Sequence, residues 1–420
     1  MTQSLSPAQV LAQPLTLQNG AVIKNRLMKS AMSESMGTYD NHVTPALVRL
    51  YERWADGGSG ILVTGNVMID RRALGEPGNV VVEDERDLEL LRAWARAGTR
   101  HGTQLWMQIN HPGKQVMRAL NREAVAPSAL PFETPELARI FIKPRALTEA
   151  EIQGLIQRFG TTAEIAKKAG FSGVQIHGAH GYLVSQFLSG RHNQRNDEWG
   201  GNPENRRRFV LEVYREMRRR CGKDFPIAIK LNSADFQKGG FTEEESLDVI
   251  RALADAGIDH IEISGGTYEA PAMAGKKQKT VKESTRRREA YFLEFAEKAR
   301  AAVKTPLAVT GGFRSLAGMS EAISSGSVDC IGLARGLAIE PDLPNRLLAG
   351  REPRHPVHPI TTGIPLVDRM AMMEVMWYSR QLHRMGQGKK PRPGESGLWS
   401  LLATLAENGW GTFQTRRLRA

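Results

Sequence analysis

Cysteine is nearly missing from this chain. Cys221 and Cys330 are the two in 420 residues, which excludes a disulfide framework. No apolar run is long enough to cross a bilayer. Met1 to Leu15 lacks a basic start followed by an apolar core, so no secretory signal is expected and a cytoplasmic address is the default. Neither the Gly-x-Gly-x-x-Gly dinucleotide fingerprint nor a P-loop occurs. Negative charge is the scarcer sign: 57 Lys and Arg face 45 Asp and Glu, a net +12. Residues 351–420 hold eleven basic and five acidic residues, half of that excess. A basic tail on a solvated surface is the expected reading, with a weak contact to nucleic acid or an acidic partner as the alternative. No zinc-finger spacing or other nucleic-acid motif argues for a nucleic-acid partner.

What is present is a repeating grammar. Short apolar runs at 25–31, 60–64, 103–109, 174–177, 226–231, 261–264, 306–310 and 328–333 read as strands. Helical patterns lie between them, as at 44–56 and 85–100. Thr148 with Glu151, and Thr242 with Glu245, predict capping boxes. Asn202 and Pro203 predict an N-cap and first helical position, and Gly170 a helix stop. Eight strand–helix units imply a (β/α)₈ TIM barrel over 1–350, with a doubly wound open sheet as the alternative. Residues 110–147 read as a long loop or lid. Residues 351–420 form a C-terminal extension: a helix at 367–385 with a Met face (Met370, Met372, Met373, Met376), a linker at 386–397 and a basic tail. Core packing or subunit contact suits that face, which leaves a homo-oligomer open.

The densest chemistry lies between Gly173 and Arg208. There His177-Gly-Ala-His180-Gly-Tyr182-Leu is followed by Gln186-Phe-Leu-Ser. Next comes Asn193-x-Arg-x-Asp-Glu-Trp-Gly-Gly-x-Pro-Glu-Asn-Arg206. This long motif closely resembles the signature of the old yellow enzyme family, the FMN-dependent ene-reductases and their relatives. The resemblance implies FMN as cofactor, NADPH or NADH as reductant, and a small-molecule substrate with an electron-poor C=C bond. It assigns His177 and His180 as hydrogen-bond donors to the substrate's carbonyl or nitro oxygen, and Tyr182 as the acid. It also implies alternatives on the same barrel, such as oxidation or demethylation of a small amine. Relatives with an iron–sulfur cluster need a cysteine cluster after the barrel, and this chain has none.

In such a barrel the strand ends converge on the active site. Those ends carry Ala31, Met32 and Ser33; Asn66; Gln108; His177, His180 and Tyr182; Lys230; and Ser264. No acidic residue stands among the strand-end positions read here. Gly311-Gly312-Phe313-Arg314 and Gly332-Leu333-Ala334-Arg335 follow the seventh and eighth strands, where a phosphate site is expected, with Arg335 adding a bidentate contact. By the resemblance, Gln108 and Lys230 contact the flavin ring. Three departures stand out: Lys230 where many relatives carry Arg, Ser33 where they carry Cys or Thr, and Asn66 in place of a small residue. From another class, His177 and His180 spaced His-x-x-His form half a metal site, as in a metal-dependent hydrolase.

Overall fold

Eight parallel strands close on themselves in this computed structural model, which describes residues 5–118, 120–266, 292–364, 372–403 and 406. They are β1 (Leu27–Lys29), β2 (Ile61–Val63), β3 (Gln104–Asn110), β4 (Gly173–Gly178), β5 (Ile227–Asn232), β6 (His260–Ser264), β7 (Leu307–Thr310) and β8 (Cys330–Leu333). Each pairs in parallel with the next in chain order, and β8 pairs with β1. That closure is the (β/α)₈ barrel and rules out the open sheet.

Period-two alternation along each strand builds two separate cores. On β5, Ile227, Ile229 and Leu231 join the outer core beneath the helices. Ala228 turns inward to Met28, Trp106, Ala308 and Cys330. A hairpin, Leu15–Thr16 against Val22–Ile23, adds Leu17 and Ile23 to that inner layer and stops the N-terminal end of the barrel. The same alternation points polar side chains into the upper half of the barrel, as shown below. Both cysteines are buried and unpaired.

The helices begin where the sequence says they should. Thr44 caps α1 (Pro45–Asp56), and α2 spans Leu88–Gly98 behind a short 3₁₀ turn, Glu85–Asp87. Both capping boxes form, at the starts of α3 (Glu149–Ala169) and α5 (Glu243–Asp255). Asn202 caps α4 (Pro203–Cys221), and Gly170 ends α3 in the left-handed region at φ +92°. Helices α6 (Leu293–Ala302) and α7 (Leu316–Ser324) follow β6 and β7, and two short helices, Arg335–Ile339 and Leu343–Leu348, follow β8. Among the described residues no helix is long and apolar enough to cross a membrane.

One expectation needs correction. Residues 110–147 are not all loop: Val125–Ala126 pairs in parallel with Arg145–Ala146, and Pro135–Ile140 is helical. Elements of two to six residues show too little periodicity to be read from sequence. In the C-terminal extension a helix, α8, spans Met372–Gly386, whereas residues 365–371 lie outside those described. Its buried face is led by Trp377, Tyr378, Leu382 and Met385, with Met373 buried and Met376 half-buried. Met370 lies outside the described residues, as does the side chain of Met372.

Candidate active site

The floor of the site is a hydrogen-bonded network spanning the barrel interior. Lys230 Nζ on β5 lies 3.1 Å from Glu262 Oε1 on β6. Gln175 on β4 donates to Glu262 Oε2 at 2.8 Å and accepts from Gln108 Nε2 on β3 at 2.8 Å. Thr310 Oγ1 on β7 donates to Glu262 at 2.7 Å and meets Ser30 Oγ at 2.6 Å. These residues are buried or nearly so. Gly332 on β8 has no alternative here, because a Cβ would strike Thr310 and Ser30. Burial pushes the Glu262 carboxyl up, but Lys230, Thr310 and Gln175 together hold it below its ordinary value. It is therefore an anion paired with a cation.

Sequence reading missed Glu262 and Gln175 because neither stands at a strand end. A signal was available: in His260-Ile-Glu-Ile-Ser264 the alternation sends Glu262 inward, and the register sets it against Lys230. Lys230 in turn sits level with His177, and Gln175 with Gln108.

Above this floor the motif residues converge. The His177 ring lies 5.3 Å from that of His180 and 4.7 Å from that of Tyr182. His177 accepts from Ala179 N–H at Nδ1, 3.4 Å, which leaves Nε2 to carry its proton. His180 Nε2 lies 2.9 Å from Ser264 Oγ. The His180 backbone is left-handed, at φ +60°, and its N–H is held by Asn232 Oδ1 at 3.2 Å. A non-glycine residue in that region is held there by its surroundings. Burial, the neighbouring His180 and Lys230 hold His177 well below the ordinary histidine range. Burial and Lys230 hold His180 down to about 3. Both rings are neutral at pH 7.

The walls are assembled from loops. Ala31, Met32 and Ser33 follow β1 and are half-buried. Behind them Glu34 accepts from Gly65 N–H at 3.0 Å and from the Tyr51 hydroxyl, which ties the β1 and β2 loops together. Lys29 lies 3.6 Å from Glu34, and burial, countered by Glu34, lowers it to about 8. Ser33 Oγ donates to Glu76 Oε1 at 2.7 Å, and Asn66 Nδ2 donates to Tyr182 Oη at 3.4 Å. Glu34 and Glu76 were also absent from the sequence reading. On the far side, Gly311 and Gly312 both take positive φ, +118° and +98°, a turn that needs two residues without Cβ. Phe313 and Ala334 are half-buried beside it, and Arg314 is exposed. Arg335 forms an ion pair with Glu374 of α8, Nη1 to Oε2 at 2.9 Å.

The donor set fits a flavin ring and its phosphate. Lys230 is an inward cation, Gln108 an inward amide, and the β7 and β8 loops, adjacent through Thr310 and Gly332, offer a glycine turn. Among the described residues no group of three His, Cys, Asp or Glu is placed to hold a metal ion, so the His-x-x-His pair lacks a third ligand.

Residues 10–354 match the NADH:flavin oxidoreductase / NADH oxidase family. The chain is 36% identical over 360 residues to the NADH-dependent flavin oxidoreductase iccE of Talaromyces variabilis, covering 81% of this chain and 87% of that one. It is 33% identical over 424 residues to the NADH-dependent flavin oxidoreductase nadA of Aspergillus parasiticus, covering 97% and 92%. Among solved structures, the old yellow enzyme homologue from Zymomonas mobilis aligns with a TM-score of 0.71 at 24% identity, over 83% of this chain and 94% of that one, a likeness of fold. The chain belongs to the NADH:flavin oxidoreductase / NADH oxidase family, old yellow enzyme-like oxidoreductases that use FMN and NAD(P)H.

Proposed function

We propose that this protein reduces the C=C bond of an electron-poor, enone-type alkene, with NADH or NADPH as reductant. The observation that supports the reading is the convergence of two uncharged imidazoles, His177 and His180, with the Tyr182 phenol over the Lys230 floor. A neutral imidazole donates one N–H and brings no charge of its own. Two such donors suit a carbonyl or nitro oxygen, on which negative charge grows as the β carbon is reduced. Tyr182 is the acid: its O–H bond breaks, the proton passes to the carbon next to the polarised group, and the electron pair stays on the phenolic oxygen. FMN, when bound, takes electrons from the nicotinamide and supplies the hydride. Gln108 and Lys230 would hold its ring edge, residues 31–33 would line it, and the Gly312–Arg314 and Ala334–Arg335 loops would bind its phosphate.

The test separates the two half-reactions by anaerobic stopped flow. Tyr182→Phe should slow oxidation of the reduced flavin by 2-cyclohexenone by about 10²–10⁴-fold. Its reduction by NADH should be unchanged. Equal loss in both halves would reject Tyr182 as the acid. A parent protein that oxidises with no enone would reject the substrate class.

A further inference from the structure

Tyr182 has a polar neighbour that the proposed reaction has not used. Asn66, three residues past β2, donates from Nδ2 to the phenolic oxygen at 3.4 Å. Its Oδ1 accepts from Nδ2 of Asn110, the last residue of β3, also at 3.4 Å. The Glu76 carboxyl is an electrostatic neighbour of the Asn66 side chain. The Asn110 donor on Oδ1 turns the amide nitrogen of Asn66 toward the phenol. A contact other than Tyr182 therefore sets the orientation of the amide.

Glu76 is itself held in place. Ser33 Oγ donates to its Oε1 at 2.7 Å and Asn79 Nδ2 at 3.3 Å. Asn79 Oδ1 accepts from the backbone N–H groups of Gly75 and Glu76, at 3.1 and 3.0 Å. Two strand ends and one braced loop thus converge on one amide.

A phenolic oxygen carries one proton and two lone pairs. An N–H on one lone pair does not engage the phenol's own proton. A hydrogen bond to the charged form of an acid also favours that form. We propose that Asn66 is a positioning residue for Tyr182, its amide N–H stabilising the phenolate left when the proton departs.

Among the described residues, the ionisable groups around the phenol come from several elements. His177 and His180 share its loop. His111 stands at the end of β3, where its carbonyl accepts from Leu183 N–H at 3.0 Å. Glu76 lies beyond Asn66, and Lys230 and Glu262 form the floor. The imidazoles are uncharged at neutral pH, and the floor pair offset one another. Burial raises the Glu76 carboxyl above its ordinary range. The Asn66 N–H on the phenolic oxygen favours ionisation.

The inference rests on Tyr182 as the acid, but its test requires no substrate. FMN-loaded protein labelled with ¹³Cζ-tyrosine is titrated by NMR. Tyr182, one of seven tyrosines, is assigned by its loss in Tyr182→Phe. Asn66→Leu, close in size and uncharged, should raise the Tyr182 pKa by about one unit or more, a tenfold loss of acidity. Asn66→Ala should do the same, and it decides the question if the leucine variant does not fold. Asn66→Ser keeps a donor and should fall between them and the parent. A Tyr182 that titrates alike in the parent and in a folded Asn66→Leu or Asn66→Ala variant overturns the inference. If no enone is reduced yet Tyr182 shifts as expected, the role of Asn66 stands and the substrate class falls.

Discussion

Lys230 and Glu262 face each other where almost no water reaches either, with exposures of 3% and 0%. Each charge is tolerable only because of the other, so the residues should fail singly and be replaceable together. Lys230→Met leaves a bare buried carboxylate, and Glu262→Leu a bare ammonium. Either should cost about 3–5 kcal/mol of stability. The double variant replaces the pair with apolar groups and should recover most of that loss. It should still bind FMN poorly, because the inward cation is gone. Urea unfolding of the four apoproteins, with flavin titration of each, tests this. Additive losses in the double variant would mean that the two charges are not a pair. Lys230 was legible from the motif's family. Glu262 was not, because its role exists only once closure of the barrel brings β6 against β5. His177, His180 and Tyr182 were named from local sequence, whereas the reach of Asn66 to Tyr182 was not legible there. A side chain's direction past a strand end is set by neighbouring loops, which the sequence does not display.

Helix α8 shows how an element outside the barrel governs loops inside the site. Ser379 Oγ donates to the Ser33 carbonyl at 2.7 Å, and His383 Nε2 lies 2.8 Å from the Glu34 carbonyl. Arg49 of α1 donates to the Gly386 carbonyl at 2.8 Å. Trp377, 1% exposed, anchors the helix in the core, with its indole N–H on the Glu395 carbonyl at 2.9 Å. Trp377→Ala should therefore cost about 3–5 kcal/mol. It should also free the β1 loop, so that FMN leaves at a lower temperature. Flavin fluorescence during a thermal ramp reads this directly. An unchanged release temperature would show that α8 does not brace the cofactor loop. The barrel helices were legible because caps and apolar stripes are local signals, as at Thr148–Glu151. The pairing of Arg335 with Glu374 was not, because those residues stand 39 positions apart and their meeting depends on where α8 docks.

For the molecule as a whole, the buried histidines set a lower limit of pH. His260 is fully buried on β6, edge-on to Trp106 with ring centroids 5.2 Å apart, and among the described residues neither ring nitrogen has a hydrogen-bond partner. Burial, countered by Glu262 and Asp329, holds it down to about 4. His111 is held to about 4 by burial, against the pull of Asp70. An unfolded histidine titrates near ~6.5. Between that value and about 4 the unfolded chain binds protons that the folded chain refuses. Stability is then fully present above pH 6.5 and is lost as pH falls toward 4. Each such histidine contributes about 3 kcal/mol to the loss, at about 1.4 kcal/mol per pH unit. His260→Phe keeps an aromatic ring against Trp106 and removes one of these protons. Urea unfolding of the apoprotein at pH 7, 6, 5 and 4.5 should give His260→Phe a slope shallower by about 1.4 kcal/mol per pH unit below pH 6. A parallel pair of curves would mean that His260 is already protonated in the folded barrel. The Trp106 layer would then have to hold a charge, with Glu262 as its nearest counter-ion, and the Lys230–Glu262 pair would no longer balance alone.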